Sequence, residues 1–500
     1  MKINFAKFLQ QLFRRRPKPV EPPKPPATVD DIRIHCTVVG DMTDRPVLRV
    51  DDGSKAIAAV AKPGRVTFTL PGTTPPWGWS ITFGGNEVRQ PNPLPGAGDH
   101  EGPTLEYVPP VKKRPGVVRL VGRSFIDNAG VFLPNGASMF YALGHWHRGG
   151  PLRDLVKENA QWLQQRGVDY VRILAHVAWD AAQEITPNWA NYQAELIELI
   201  DYLYDEAGLR VKITVTGGGR WEDIEKAAVA VRYAIAGREH KIFMVEAGNE
   251  TNISGDDAVK VAKLFAGSSV LFATGRGNAG LDVIIRETEL AGAPVACFHT
   301  ERGGDEVRMV RQVWDFKEFR HAVENAEPPG PASSVSQLND PLQLALFRVG
   351  SAFCGAGAFC LHSGSGVYGK NYMSAHGFRY AKFADHPGLQ DAFDAMRAVT
   401  NAVPVNLAEW RPFNGGYGGP LSVELAAGDI GKIYGSRLDN QFIEIVFGCT
   451  TPVKLRALHR MEVRAVSVFT GAETGRWQLQ AGETFDLPLA WGHLLIGNHI

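Results

Sequence analysis

Several apolar runs in this chain end on side chains able to handle protons or attack carbon. Residues 242–245 lead into Glu246-Ala247-Gly248-Asn249-Glu250, and a later run ends in Glu324-Asn325-Ala326-Glu327-Pro328. Two carboxyl groups brought to one site can divide a hydrolysis between them: one protonates a leaving oxygen while the other attacks the carbon it leaves. Glu250 in the first segment and Glu327 in the second are the candidate pair, with Glu324 and then Glu301 as rivals to Glu327. Other runs end in Gly144-His145-Trp146-His147-Arg148, in His299-Thr300-Glu301-Arg302 and in His362-Ser363-Gly364, while one contains Arg172 and leads to His176.

His145 and His147 have the HxH spacing with which metal-dependent amidohydrolase barrels hold a divalent cation. Such sites need further ligands on later strands. Here the fifth run ends in Thr274-Gly275-Arg276 and only His299 fits, so no metal or cofactor is expected and the two histidines are assigned to sugar hydrogen bonding or loop packing.

These residues need a scaffold that delivers strand ends to one face. Between about 112 and 404, β-rich apolar runs alternate with helical patterns, the signature of a parallel sheet with crossover helices. Strands are expected at 138–143, 170–174, 210–215, 241–246, 270–274, 296–299, 321–324 and 357–361, with helices such as 152–165, 192–207, 224–236, 256–265 and 341–353 between them. Eight such units match a (β/α)₈ barrel, whose chemistry sits at the C-terminal strand ends. No GxGxxG follows the first strand. Residues 118–132 read as a hairpin turning at Asp127, Asn128 and Gly130, placed to close the barrel's bottom.

Short alternating runs with Gly and Pro between them suggest β-sandwiches at 29–111 and 405–500, flanking the barrel. Trp77 and Trp79 stand at strand spacing in the first, where they fill a core or stack on a sugar. The glycines 217–219 and 355–369 lack the ending of a nucleotide loop and are expected to permit tight turns or close approach to a bulky polymer.

The strand ends resemble those of clan A glycoside hydrolases, the group that includes family 5 cellulases and mannanases. There an Asn-Glu pair closes the fourth strand, as Asn249 and Glu250 do here; the resemblance implies that Glu250 is the acid/base and that Asn249 bonds a sugar 2-hydroxyl. It also implies that Arg172 orients the nucleophile, that His299 lies beside the cleft, and that Glu327 attacks the sugar. The clan's eighth-strand Trp is not evident in Phe359-Cys360-Leu361-His362, so Trp146 and Trp179 are the expected stacking residues, with His145 and His362 as further substrate contacts. The activity implied is hydrolysis of a β-linked oligo- or polysaccharide with retention, through a glycosyl-enzyme intermediate and two carboxyls about 5 to 5.5 Å apart. The reading from a different class is a non-catalytic carbohydrate-binding or structural barrel.

Composition fits a neutral substrate. The 53 basic and 53 acidic side chains cancel, so no global field recruits nucleic acid or anionic membrane. Five scattered cysteines without a CxxC read as buried thiols. Residues 1–28 carry seven Lys/Arg, one Glu and six prolines, the composition of a disordered tail. Its first apolar residues, followed by Arg14, Arg15 and Arg16, suit contact with a membrane surface or a partner; charge after the apolar stretch makes a poor secretory signal. No run is long enough for a transmembrane helix.

Overall fold

The computed structural model describes residues 113–178, 184–249, 255–277, 280–300, 320–327, 341–363, 382–386 and 388–414, with shorter stretches, mostly strands, within 32–106 and 420–500. The tail of residues 1–28, Trp77, Trp179, Glu250, Glu301 and the glycines beyond 363 lie outside these, as does the side chain of Trp79. The chain forms two compact units, Met1–Pro110 and Val111–Ile500.

The first unit contains two four-stranded sheets. In one, Ile32–Val39 pairs antiparallel with Gly64–Leu70 and parallel with Gly98–Glu101. Ile32, Ile34 and Cys36 are buried, as are Val66, Phe68 and Leu70 opposite them, which is the period-two pattern of a half-buried sheet.

The second unit is built on eight parallel strands: β1 Asn135–Ser138, β2 Tyr170–Leu174, β3 Arg210–Thr216, β4 Ile242–Gly248, β5 Phe272–Ala273, β6 Val295–Phe298, β7 Ala322–Asn325 and β8 Ala356–Leu361. Their order is β5-β4-β3-β2-β1-β8-β7-β6, with β5 and β6 adjacent where the sheet nearly closes on itself. Helices α1 Ala142–Arg148, α2 Gly150–Gln165, α3 Tyr192–Asp205, α4 Trp221–Ile235, α5 Gly255–Lys263, α6 Leu281–Ala291, α7 Pro341–Phe353 and α8 Leu389–Ala402 complete a (β/α)₈ barrel. Alternation along each strand divides the core: Val171, Ile173, Val211 and Ile213 pack with apolar faces of the helices, while Tyr170, Cys297, Ala358 and Cys360 belong to a separate interior cluster.

The first strand differs from expectation. It ends at Ser138, and the apolar residues after it enter α1 rather than a strand. Gly136 is needed there because the Tyr170 ring occupies the place a Cβ would take. His145, Trp146 and His147 consequently stand on a helix, not in the loop leaving β1.

Arg119–Val121, Ser124–Asp127 and Gly130–Phe132 form a three-stranded meander whose Phe125 and Phe132 join Tyr170, Phe243 and Val295 in the cluster that closes the N-terminal end of the barrel. Asp127 holds the turn together by accepting from Arg114 and Arg210 at 2.8 Å each. The residues after 405 form a six-stranded and a three-stranded sheet. Ile443, Ile445, Val466 and Leu494 share a core with Phe353 and Trp410 beside the barrel, whereas Phe442, Leu455, Val463 and Phe485 pack between the sheets. Cys36, Cys297, Cys354 and Cys360 are buried free thiols; Cys449 is outside the described residues. No described helix is long and apolar enough to cross a membrane.

Candidate active site

Four barrel strands carry a charged side chain within an apolar run, at positions that alternation turns inward: Arg172 on β2, Lys212 on β3, Glu246 on β4 and Glu324 on β7, while Arg210 at the start of β3 pairs with Asp127 below. All four are fully buried, so each charge needs a partner of opposite sign within reach.

Arg172 stands at the centre. Its Nε donates to Glu246 Oε2 at 2.7 Å and to Thr214 Oγ1 at 3.0 Å, its Nη2 donates to Asn249 Oδ1 at 2.8 Å, and its Nη1 donates to Glu327. The ring of Phe140 lies 4.9 Å from the guanidinium carbon. Burial lowers the guanidinium's pKa, but Glu246 and Glu327 outweigh it and raise it above its ordinary value. Burial likewise raises the Glu246 carboxyl, yet Arg172, Lys212 and His299 bring it below the usual carboxylate range, helped by the Thr214 hydroxyl at 2.5 Å.

Glu327 lies two residues beyond β7, buried, with one oxygen on Arg172 and the other 3.3 Å from His299 Nδ1, just past β6. Glu324 points elsewhere: Tyr170 donates to it at 2.6 Å, Cys297 at 2.8 Å and Lys212 at 2.5 Å, within the barrel interior. The two candidate glutamates of this segment thus occupy different environments. One meets the residues of the strand ends; the other is an interior ion-pair partner.

The loop leaving β5 backs this arrangement with glycine. At Gly275, with φ +74°, a Cβ would strike the Glu246 side chain, and at Gly277 it would strike the His299 ring. In the loop leaving β3, Gly219 has φ +134° and passes so close to His176 that a side chain would collide with the imidazole. This stretch turns tightly, one of the two roles anticipated for it.

His362, at the end of β8, is buried with Nδ1 3.2 Å from Ser138 Oγ, joining the exits of β8 and β1. Trp146 does not line the mouth. Its indole donates to Glu198 on α3 at 3.1 Å, packs 5.2 Å from Tyr202 and lies under Arg153, so it belongs to the helical layer. His145 stands on the same helix as Trp146, its ring 4.5 Å from that of Tyr141. His147 instead stacks on Trp189 at 3.8 Å and pairs with Glu195 at 2.7 Å, so the side chains of the HxH motif diverge and share no ligand position. Among the described residues, the one group of three ligand-type side chains close enough for a cation is Glu246, Cys297 and Glu324. The Lys212 ammonium already fills that role, 3.1 Å from Glu246 and 2.5 Å from Glu324.

Solved structures share this architecture. One, described as a glycoside hydrolase, is 13% identical with a TM-score of 0.58, over 78% of this chain and 99% of that one. A second, a family 5 glycoside hydrolase from Bacteroides vulgatus, is 15% identical with a TM-score of 0.56, over 77% and 93%. The fold is that of family 5 glycoside hydrolases. At these identities the likeness is one of architecture, and it extends over nearly the whole of both relatives. No protein-family profile matches the sequence, and no curated protein does.

Sequence reasoning missed Lys212 and Thr214, and named Glu246 at the end of its run without giving it a role. Their signal was a charge or hydroxyl at the same inward phase as Arg172 in neighbouring strands.

Proposed function

We propose that this chain is a retaining glycoside hydrolase acting on β-linked oligo- or polysaccharides, with Glu327 as nucleophile and Glu250 as acid/base. The observation that carries the reading is the two-sided hold on Glu327, by Arg172 on one oxygen and His299 on the other. The Arg172 cation favours the carboxylate form, which attack requires, and the paired contacts fix its direction. The same guanidinium holds the side-chain oxygen of Asn249, the residue before Glu250 in the sequence.

In the first half-reaction Glu250 gives its proton to the glycosidic oxygen as Glu327 bonds to the anomeric carbon and the C–O bond to the leaving sugar breaks. In the second, Glu250 takes a proton from water, whose oxygen attacks the anomeric carbon and releases Glu327 as carboxylate. Asn249 and His299 are assigned contacts with the bound sugar, and His362 lies at the same end of the barrel.

The test is hydrolysis of aryl β-glycosides across a panel of sugars, with the anomer of the first-formed product read by NMR. A β-anomer from a β-glycoside is the expected product. An α-anomer would mean inversion, and no turnover on any sugar or on polysaccharides would favour a binding protein.

A further inference from the structure

Beneath the strand ends, the barrel holds charge that the proposed reaction does not touch. Lys212 is wholly buried, its Nζ 3.1 Å from Glu246 Oε1, 2.5 Å from Glu324 Oε2 and 3.7 Å from Cys297 Sγ. Glu246 uses its other oxygen on Arg172, and Arg172 reaches Glu327. Glu324, Lys212, Glu246, Arg172 and Glu327 thus form one continuous chain of alternating sign, running from the barrel interior to the end of β7.

A lysine placed only to fill space would be a poor choice here, because an apolar side chain of similar volume avoids the desolvation of three or more charges. Burial lowers the Lys212 pKa, yet the Glu246 and Glu324 carboxylates outweigh it and keep the ammonium protonated. The other titratable groups facing this chain of charges are Tyr170 on β2, Cys297 on β6, Cys360 on β8 and, at its outer end, His299 just past β6, 3.3 Å from Glu327. Burial and the Glu324 charge hold Tyr170 and Cys297 in their neutral forms, and the same two causes push the Cys360 thiol up to about 12. Lys212 and Arg172 are the Lys and Arg cations of this chain, shared among Glu324, Glu246 and Glu327, with His299 meeting Glu327 at its outer end.

We propose that Lys212 is a positioning residue for Glu327: paired with Glu246 and Glu324, it leaves Arg172 free to serve the nucleophile and sets the charge background against which Glu327 ionises. The proposal rests on the reading of Glu327 as the nucleophile. Lys212 never meets substrate. Removing its charge makes the interior more negative and disfavours the Glu327 carboxylate, whereas neutralising Glu324 does the opposite.

The experiment compares Lys212→Met, Glu324→Gln and the double variant in the full chain. Two quantities are read: the acid limb of kcat/KM on an activated aryl glycoside, and the ¹³C NMR titration of the Glu327 carboxyl, assigned by its loss in Glu327→Gln. Lys212→Met is expected to move both to higher pH and Glu324→Gln to lower pH, each by roughly half to one unit, with the double variant near wild type. A purely structural lysine would cost stability in each variant without shifts of opposite sign. Should Lys212→Met not fold, the shift of Glu324→Gln and its loss in the double variant carry the comparison. Carboxyl shifts of opposite sign without hydrolysis of any glycoside would uphold the coupling and remove the glycosidase reading. An unmoved carboxyl, or shifts of the same sign, overturns the proposal.

Discussion

Arg172 binds Asn249 through one guanidinium nitrogen and Glu327 through the other, so a single side chain on β2 joins the ends of β4 and β7. A lysine would not reproduce these contacts from two separate, coplanar nitrogens, since the fork geometry belongs to guanidinium. Arg172→Lys should therefore lower kcat/KM by at least about a hundredfold, because the nucleophile loses its alignment. Arg172→Met should also destabilise the fold by roughly 3 to 5 kcal/mol, as Glu246 and Glu327 would be left buried beside an uncharged side chain. Steady-state kinetics and denaturant unfolding check the two effects separately.

Glu324 and Glu327 should separate cleanly. Glu327→Gln removes the attacking group and should depress turnover at least about a thousandfold while leaving the fold intact. Glu324→Gln, three residues earlier but bonded to Tyr170, Cys297 and Lys212, should keep most of the turnover and lose stability instead. Activity and melting temperature measured on both variants would exchange these roles if Glu324 were the nucleophile.

Glu250→Ala is expected to keep much of its glycosylation rate on a dinitrophenyl glycoside, whose leaving group needs no proton. Its slow second step should be rescued by azide, giving a β-glycosyl azide. Absence of both rescue and azide product would remove Glu250 from the acid/base role.

The carboxyl-terminal sheets contain a carboxyl that works against stability. Glu444 is buried, Oε2 has no hydrogen-bond partner among the described residues, and burial pushes its carboxyl up to about 8. The folded state therefore holds this proton more tightly than the unfolded chain, so stability is greatest below the unfolded value of 4.5 and falls as pH rises through about 8. The slope from this group approaches ~1.4 kcal/mol per pH unit within that window. Glu444→Gln should flatten the profile and raise stability at pH 8, as urea unfolding at several pH values would show. An unchanged slope would mean that Glu444 is ionised in the folded protein.

The barrel was legible because Val- and Ile-rich strands such as Tyr170–Leu174 announce themselves, and because helices with one apolar face separate them. The first strand was not, since Asn135-Gly136-Ala137-Ser138 contains no β-branched or large residue; its glycine answers to the Tyr170 ring, a contact made at long range. That slip carried Trp146 and His145 to the strand ends when both pack among helices. Arg172, Asn249, His299 and Glu327 were readable as polar residues at strand ends. Lys212 was not, because a charge within an apolar strand reads as an outward-facing residue until the barrel closes and every inward position is buried, and Glu246, named at the end of its run, had no visible partner before Arg172 and Lys212 met it.

Whether Glu327 forms the covalent bond is the most direct question to put to this protein. The measurement is inactivation by activated 2-deoxy-2-fluoro β-glycosides across the sugar panel, followed by proteolysis and mass spectrometric mapping of the labelled peptide. The account predicts one fluoroglycosyl group per chain, esterified to Glu327. Label on Glu324 or Glu301, or hydrolysis that proceeds with no covalent adduct, would contradict it.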